Sequence, residues 1–363
     1  KPGTLFLFPR PFPFRNGRFF VDKAAVGVYV IRNEGNRRIM TTPTILIDAY
    51  SQIFRAYYAI RQLNNSRGEP TNAVFVFARM LLKLEKEYPS DAGALCFDCG
   101  KVQFRLELAP EYKANRPEMP EKLRVQIPVI RELAAAFGWP LLQEPEYEAD
   151  DLIAAFARRA AGPVLIVSSD KDLSQLVDAE VKMLVPAPKN GFEERDAAGV
   201  KAKFDVPPEL IVDYLALIGD ASDNIPGVPG VGPKTAARLL NAFGPAESWL
   251  DDPARIGDPK LRARLEGQFD VIRKNRKLIA LKDALPGRFD PPAPHLRRTA
   301  PDWAKIREIC ERMELRSVLK ELPEPPAAPA RPEAAEDDLF SFLASPAPET
   351  PKPEPGMEQG ELF

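Results

Sequence analysis

Between about residues 44 and 196 the apolar positions of this chain keep changing period. Short apolar runs at TILID (44–48), GALCFD (93–98), WPLLQ (139–143) and PVLIVSSD (163–170) predict buried strands. Helical spacing takes over in SQIFRAYYAI (51–60), TNAVFVFARMLLKLEKEY (71–88), IPVIRELAAAF (127–137), DLIAAFARRA (151–160) and KDLSQLV (171–177). Thr71 or Asn72 supplies a cap for the longest of these. Strands alternating with helices predict an α/β fold with a parallel sheet covered on both faces. From about 196 the strand pattern stops, and the remainder to 321 reads as mainly helical. The predicted organisation is an irregular arm over 1–43, a core over 44–205, a helical region over 206–322, and a Pro/Glu-rich disordered tail over 323–363. Met40 directly precedes the first ordered run and reads as the natural start.

Composition narrows the chemistry. The net charge of −2 conceals an asymmetry: residues 1–43 carry +6 and residues 323–363 carry −7. A nearly neutral middle with dense acid clusters must hold compensating Lys and Arg, which is compatible with a nucleic-acid surface. The single histidine, His295, lies in the Pro-rich stretch PPAPHL, so Ser-His-Asp, Cys-His and His-rich metal chemistry are excluded. Cys96 and Cys99 form a CxxC with no second pair to complete a zinc site, and read with Cys310 as ordinary thiols of a reducing compartment. No apolar run approaches the ~20 residues of a membrane span. Residues 24–31 lack a cleavage site. The expected location is cytoplasmic and nucleoid-associated.

What remains for chemistry is carboxylates. Asp48, Asp98 and Asp170 end predicted strands, and ligands of open parallel sheets bind beyond the carboxyl ends of strands. EYEADD (146–151) opens a helix at the same edge, Asp172 follows closely, and GDASDN adds Asp220 and Asp223. One or two acids suit a helix N-terminus or a turn. This many on one rim repel one another unless a cation neutralises them. Hard oxygen donors without histidine point to Mg²⁺ or Mn²⁺. Two such cations activate water and stabilise the leaving oxygen in phosphodiester hydrolysis.

IPGVPGVGPKTAARLL (225–240) is not a P-loop, because Pro233 separates Gly232 from Lys234. It reads as a helix–hairpin–helix, with Gly227, Gly230 and Gly232 allowing tight turns and close backbone approach. The amides at the next helix start, with Thr235, can meet a phosphate. Lys234 and Arg238, four apart on one face, can hold a DNA backbone without reading sequence.

Five ordered segments now carry a resemblance: ILIDAYSQIFRAYYAI, CFDCGKVQFRLELAPEYKANRPEMPEKLRVQIP, EYEADDLIAA, SSDKDLSQLV and LIGDASDNIPGVPGVGPKTAARLL. Over about 44–322 the chain resembles the 5′→3′ nuclease domain of bacterial DNA polymerase I and the related stand-alone flap endonucleases. The resemblance implies a PIN-like parallel-sheet nuclease core with a helical arch, here about 102–125, followed by a helical helix–hairpin–helix region. It implies divalent-metal-dependent removal of 5′ ends and flaps. It also implies a metal set of Asp48, Asp98, Glu148, Asp150, Asp151, Asp170, Asp172, Asp220 and Asp223, with Glu146 a solvated bystander. Lys113 and Arg116 of the arch are expected at the scissile phosphate, Tyr112 as a stacking face for an unpaired base, and Arg55 and Arg105 as phosphate contacts. A K⁺ held by the hairpin carbonyls is a further implication. Gln103 and Cys99 depart from the pattern without removing a charge the chemistry needs.

The chain closes on Gln359-Gly-Glu-Leu362-Phe363, which resembles the Q-x-x-L-F peptides that bacterial replication proteins insert into the sliding clamp. DDLFSFL (337–343) is a second apolar cluster of the same kind. The resulting expectation is a monomeric, structure-specific 5′ nuclease acting on flapped, branched or nicked duplex. The alternative is a non-catalytic branched-DNA binder that adapts DNA to the clamp.

Overall fold

The computed structural model describes residues 28–33, 36–100, 102–187 and 191–324. The tail beyond 324, with Gln359, Leu362, Phe363 and the 337–343 cluster, lies outside them. Within the arm expected to be irregular, Val28–Asn33 pairs antiparallel with Asn36–Thr41. Met40 falls inside the second of these strands.

A six-stranded sheet organises the molecule, in the order Leu141–Leu142, Gly93–Cys96, Thr44–Asp48, Val164–Val167, Val181–Ala187, Gly191–Arg195. The first five run parallel and the last is antiparallel. Because strand side chains alternate, the central strand sends Ile45 and Ile47 to one apolar cluster and Leu46 to the other. The first cluster includes the Ala49–Ala59, Asn72–Glu87, Ile127–Ala136 and Trp303–Arg312 helices. The second includes the Ala149–Ala157, Ile211–Ile218, Pro233–Phe243 and Phe269–Ile279 helices. The region expected over 206–322 thus shares its core with the sheet rather than standing apart from it.

Two strands of this sheet escaped the sequence pattern. Val181–Ala187 and Gly191–Arg195 form a hairpin at the sheet edge, where Pro186 is tolerated. KDLSQLV condenses to a single 3₁₀ stretch, Asp172–Leu176. Beyond 196, where no strand was expected, Gly219–Asp220 and Ile225–Pro226 form a two-residue ladder that closes the hairpin.

The sheet order reverses at the central strand, which neighbours both Gly93–Cys96 and Val164–Val167. A crevice opens beyond the carboxyl ends at such a switch point. Asp48 ends the central strand, Asp98 lies two residues past Cys96, and Asp170 three past Val167. Among the described residues no helix is long and apolar enough to cross a membrane.

Candidate metal centre and its cationic rim

Each carboxylate is fixed by its own local geometry. Asp48 caps the Ala49–Ala59 helix: its Oδ1 accepts from the Ser51 amide at 3.1 Å, and its Oδ2 accepts from Ser168 Oγ at 2.9 Å. Asp98 Oδ1 accepts from the Ala149 amide at 2.8 Å, which ties the neighbouring strand end to the EYEADD turn. Glu148 stays in extended backbone as the cap of Ala149–Ala157, so the chain turns helical only at Ala149. That entry aims Glu148 and Asp150 independently, which a continuous helix would not allow. Ser168 Oγ accepts from the Asp170 amide, and Asp170 Oδ1 accepts from the Asp172 amide, both at 3.0 Å.

The acids fall into two overlapping groups. Asp172, Asp220 and Asp223 each offer an oxygen within 4.8 Å of the others. Asp172 Oδ1 is buried there without a hydrogen-bond partner. In the second group, burial, then Asp98 and Asp170, push the Asp48 carboxyl up to about 7, against the opposing bonds from Ser51 and Ser168. Burial, then Asp48, Asp170, Asp98 and Asp172, hold Asp150 well above the usual carboxylate range. Burial, then Asp170, Asp220 and Asp223, do the same to Asp172. Hydrogen bonds tie Asp170 to both groups: Ser168 Oγ joins its amide to Asp48 Oδ2, and its own Oδ1 accepts from the Asp172 amide. Such mutual repulsion, hard oxygen donors and an orphaned buried oxygen fit divalent cations.

Cations line one side. Lys113 Nζ lies 2.7 Å from Glu148 Oε1 and 3.8 Å from Asp223 Oδ2, and Arg116 lies 2.5 Å from Asp223 Oδ1. Three further bonds latch this part of the arch to the 220–224 loop. The Lys113 amide donates to the Asp223 carbonyl (3.0 Å), Asn115 Nδ2 to the Ala221 carbonyl (2.8 Å) and Asn224 Nδ2 to the Glu111 carbonyl (2.8 Å). Lys113 and Asn224 both adopt positive φ to make this fit. Lys171, between Asp170 and Asp172, pairs with Asp220 at 2.9 Å. Despite burial, Lys171 and the Ser222 amide hold Asp220 below its ordinary value. Arg55 is half-buried about two turns into the Ala49–Ala59 helix, and burial alone acts on its pKa, downward.

Three expected roles change. Arg105 is no surface phosphate contact: it is 1% exposed and donates to both Asp151 oxygens at 2.6 and 2.8 Å and to the Leu278 carbonyl at 3.1 Å. Asp151 is consumed by that pair and by the Glu148 and Lys282 amides, so it faces the protein and not a cation. Tyr112 offers no open stacking face; it is buried, and its hydroxyl lies 3.1 Å from Glu148 Oε2 and 3.0 Å from Asp223 Oδ2, with one proton to share between them. Glu146 is exposed and apart from the acid groups, as a solvated residue should be, but it is not without contacts. Its carboxylate accepts from the Gln103 amide at the start of the first arch helix, and its carbonyl accepts from Lys282 Nζ.

In the hairpin, Lys234 and Arg238 are exposed on one face of Pro233–Phe243, with Thr235 half-buried. A Cβ on Gly227 would meet the Ile218 carbonyl oxygen at 2.3 Å, so close backbone approach requires glycine there. Gly230 takes positive φ, whereas Gly232 is extended with open space around it. Gly219, which the motif reading passed over, is the second crowded glycine, with positive φ and the Gly227 amide 2.4 Å from an added Cβ. Of the other residues missed, Ser168 and Lys171 were legible as polar neighbours of strand-end Asp. Lys282 carried no such signal.

Comparison with known proteins places these features. The family model described as 5′-3′ exonuclease, N-terminal resolvase-like domain, matches residues 43–205. The model described as 5′-3′ exonuclease, C-terminal SAM fold, matches residues 206–303. A 5′-3′ exonuclease of Aquifex aeolicus (strain VF5) is 37% identical over 280 residues, covering 76% of this chain and 94% of that protein. DNA polymerase I of Pseudomonas aeruginosa is 47% identical over 205 residues, covering 56% of this chain but only 22% of the polymerase. Among solved structures, a bacteriophage T5 flap endonuclease in a pseudo-enzyme-product complex with DNA and metal ions shares the fold. Its TM-score is 0.55 at 22% identity, over 77% of this chain and 98% of that one.

Proposed function

The chain belongs to the 5′-3′ exonuclease family, and from that premise we propose that it is a structure-specific 5′→3′ exonuclease and 5′-flap endonuclease acting on flapped or nicked duplex DNA and on RNA primer remnants. The observation that carries the reading is the orphaned Asp172 oxygen among Asp220, Asp223 and Asp170, faced by Lys113 and Arg116. Asp48, Asp98, Asp150 and Asp170 would hold one divalent cation, and Asp170, Asp172, Asp220 and Asp223 a second. Mg²⁺ is the ion proposed, with Mn²⁺ as a substitute. Bound there, the two ions supply Lewis acidity to the attacking and departing oxygens of an in-line displacement.

The chain's own groups do the rest. Lys113 and Arg116, held by Glu148 and Asp223, lie within a side-chain swing of a phosphate at the carboxylates and stabilise its developing charge. Arg55, half-buried and without an ion pair among the described residues, contributes a cation for a phosphate of the same strand. Lys234 and Arg238 hold the duplex backbone away from the chemistry. A K⁺ on the hairpin carbonyls belongs to the proposal; the Gly230 carbonyl already accepts from Arg264. The adaptor alternative gives no reason to concentrate repelling carboxylates around an unpaired buried oxygen. An end-labelled 5′-flap duplex tests the reading: flap release with Mg²⁺ and none with EDTA supports it, and DNA binding with no cleavage in any divalent metal favours the adaptor.

We further propose that Gln359, Leu362 and Phe363 dock this monomer on the sliding clamp, in a cytoplasmic, nucleoid-associated setting. The support is the Q-x-x-L-F pattern after a Pro-rich tether. Deleting 359–363 is expected to abolish clamp binding and leave short-flap cleavage unchanged; unchanged clamp affinity refutes it.

A further inference from the structure

Phe97, which precedes Asp98, is fully buried and is the centre of a stack. Tyr50 meets its ring edge-on at 5.6 Å between centroids, and the Arg131 guanidinium lies over it at 4.2 Å. Tyr50 comes two residues after Asp48, and Arg131 comes from the Ile127–Ala136 helix that follows the arch. The stack therefore joins the two strand ends that carry Asp48 and Asp98.

Its polar ends are open. Among the described residues Arg131 has a single hydrogen bond, of 3.3 Å to Gln143 Oε1, and no acid pairs with it. The Tyr50 hydroxyl makes no hydrogen bond among the described residues. Other arginines held against aromatic rings here behave differently: Arg105 over Phe104 is paired with Asp151, and Arg298 over Trp139 with Glu85. A planar guanidinium stacked on one face keeps its N–H edge for a bidentate oxygen ligand, and a phenol adds a third donor. Donors with no acidic partner among the described residues, next to the carboxylates, suit an anion brought in by the substrate.

We propose that Tyr50 and Arg131 form a phosphate-oxygen subsite beside Asp98, which grips one phosphodiester of the substrate strand adjacent to the scissile one and positions that strand on the metal centre. The inference rests on the nuclease reading and adds a strand contact to it. Arg131 N–H and Tyr50 O–H donate to the non-bridging oxygens, and Phe97 keeps the guanidinium in plane.

The test pairs variants with neutralised linkages. Single-turnover cleavage of 5′-flap duplexes is measured, each with one methylphosphonate at a defined linkage flanking the cut, for wild type, Arg131→Met, Arg131→Lys and Tyr50→Phe. Arg131→Met keeps an apolar contact with Phe97, and Tyr50→Phe keeps the ring stack, so a stable variant remains if one of them melts early. The expected result is about tenfold slower cleavage of unmodified flap by Arg131→Met, the size of a lost charge-assisted hydrogen bond. Arg131→Lys recovers part of the rate. At one linkage the methylphosphonate slows wild type by a similar factor and slows Arg131→Met no further. Equal methylphosphonate penalties in wild type and variants at every linkage overturn the subsite, as does an unchanged rate in both Arg131→Met and Tyr50→Phe. A wild-type protein that cleaves no flap overturns the nuclease reading instead, before any variant is compared.

Discussion

Replacing Arg105 with Met separates two roles that the residue type alone confuses. As a phosphate contact, Arg105 could be lost with little effect on folding. The structure instead buries it with Asp151, at 1% and 0% exposure, through two charge-assisted hydrogen bonds to that carboxylate and a third to the Leu278 carbonyl. Met fills similar volume but leaves the Asp151 carboxylate charged and the Leu278 carbonyl without its donor. Two backbone amides still reach Asp151, which softens the loss without cancelling it. Breaking one side of such a pair costs about 3–5 kcal/mol, a large share of the ~5–15 kcal/mol that holds a typical domain together. The assay is urea unfolding at pH 7.5 without divalent metal, comparing wild type, Arg105→Met, Asp151→Leu and the double variant. The double variant is expected to recover much of the loss, because no uncompensated charge remains. The partners shift in opposite directions, consistent with a strong pair: Asp151, though buried, is held low by Arg105, and Arg105, though buried, is held high by Asp151. A single-variant loss below about 1 kcal/mol, or a double variant as unstable as the sum of the singles, refutes the buried-pair account.

Lys113→Met is expected to lower the single-turnover cleavage rate by roughly 10²-fold with little change in flap affinity, as rapid-quench kinetics beside equilibrium binding would report. Substituting Ala for Lys234 and Arg238 together should weaken duplex binding evenly across sequences and flatten its salt dependence by about one unit per charge removed; a loss confined to certain sequences contradicts the backbone role. Asp48, Asp150 and Asp172 have native pKa values raised by burial and mutual repulsion, Asp48 to about 7. Groups shifted this way bind protons more tightly folded than unfolded, so their contribution is complete below about pH 4 and is lost as pH rises toward 7. The metal-free protein should therefore melt at a lower temperature at pH 8 than at pH 5.5, and Mg²⁺ should reverse the trend; a melting temperature that rises over that window without metal contradicts the assignment.

The parts legible in the sequence share a physical reason. TILID, GALC and VLIV are buried on both faces, so their unbroken apolar runs announce them, and the acids that follow must lie at the sheet edge. The edge hairpin was missed because VKMLVPA mixes Lys and Pro into a half-exposed strand. Arg105 was misjudged because helical spacing says nothing of a partner 46 residues away, and a buried arginine looks like a surface one until that partner is placed. Tyr112 was misjudged in the same way: a ring in a polar arch segment reads as exposed, while its hydroxyl is needed between Glu148 and Asp223. The contacts of Glu146 had no local signal, since the amide it caps belongs to the arch.

The most direct test of the central claim is single-turnover cleavage of a 5′-labelled flap duplex against Mg²⁺ concentration for wild type and Asp170→Asn, with flap binding followed in Ca²⁺. Wild type is expected to cleave only with metal, and Asp170→Asn to lose nearly all cleavage with binding retained, because Asp170 is tied to Asp48 through Ser168 and to Asp172 directly. Cleavage by Asp170→Asn at the wild-type rate, or wild-type cleavage that persists in EDTA, contradicts it.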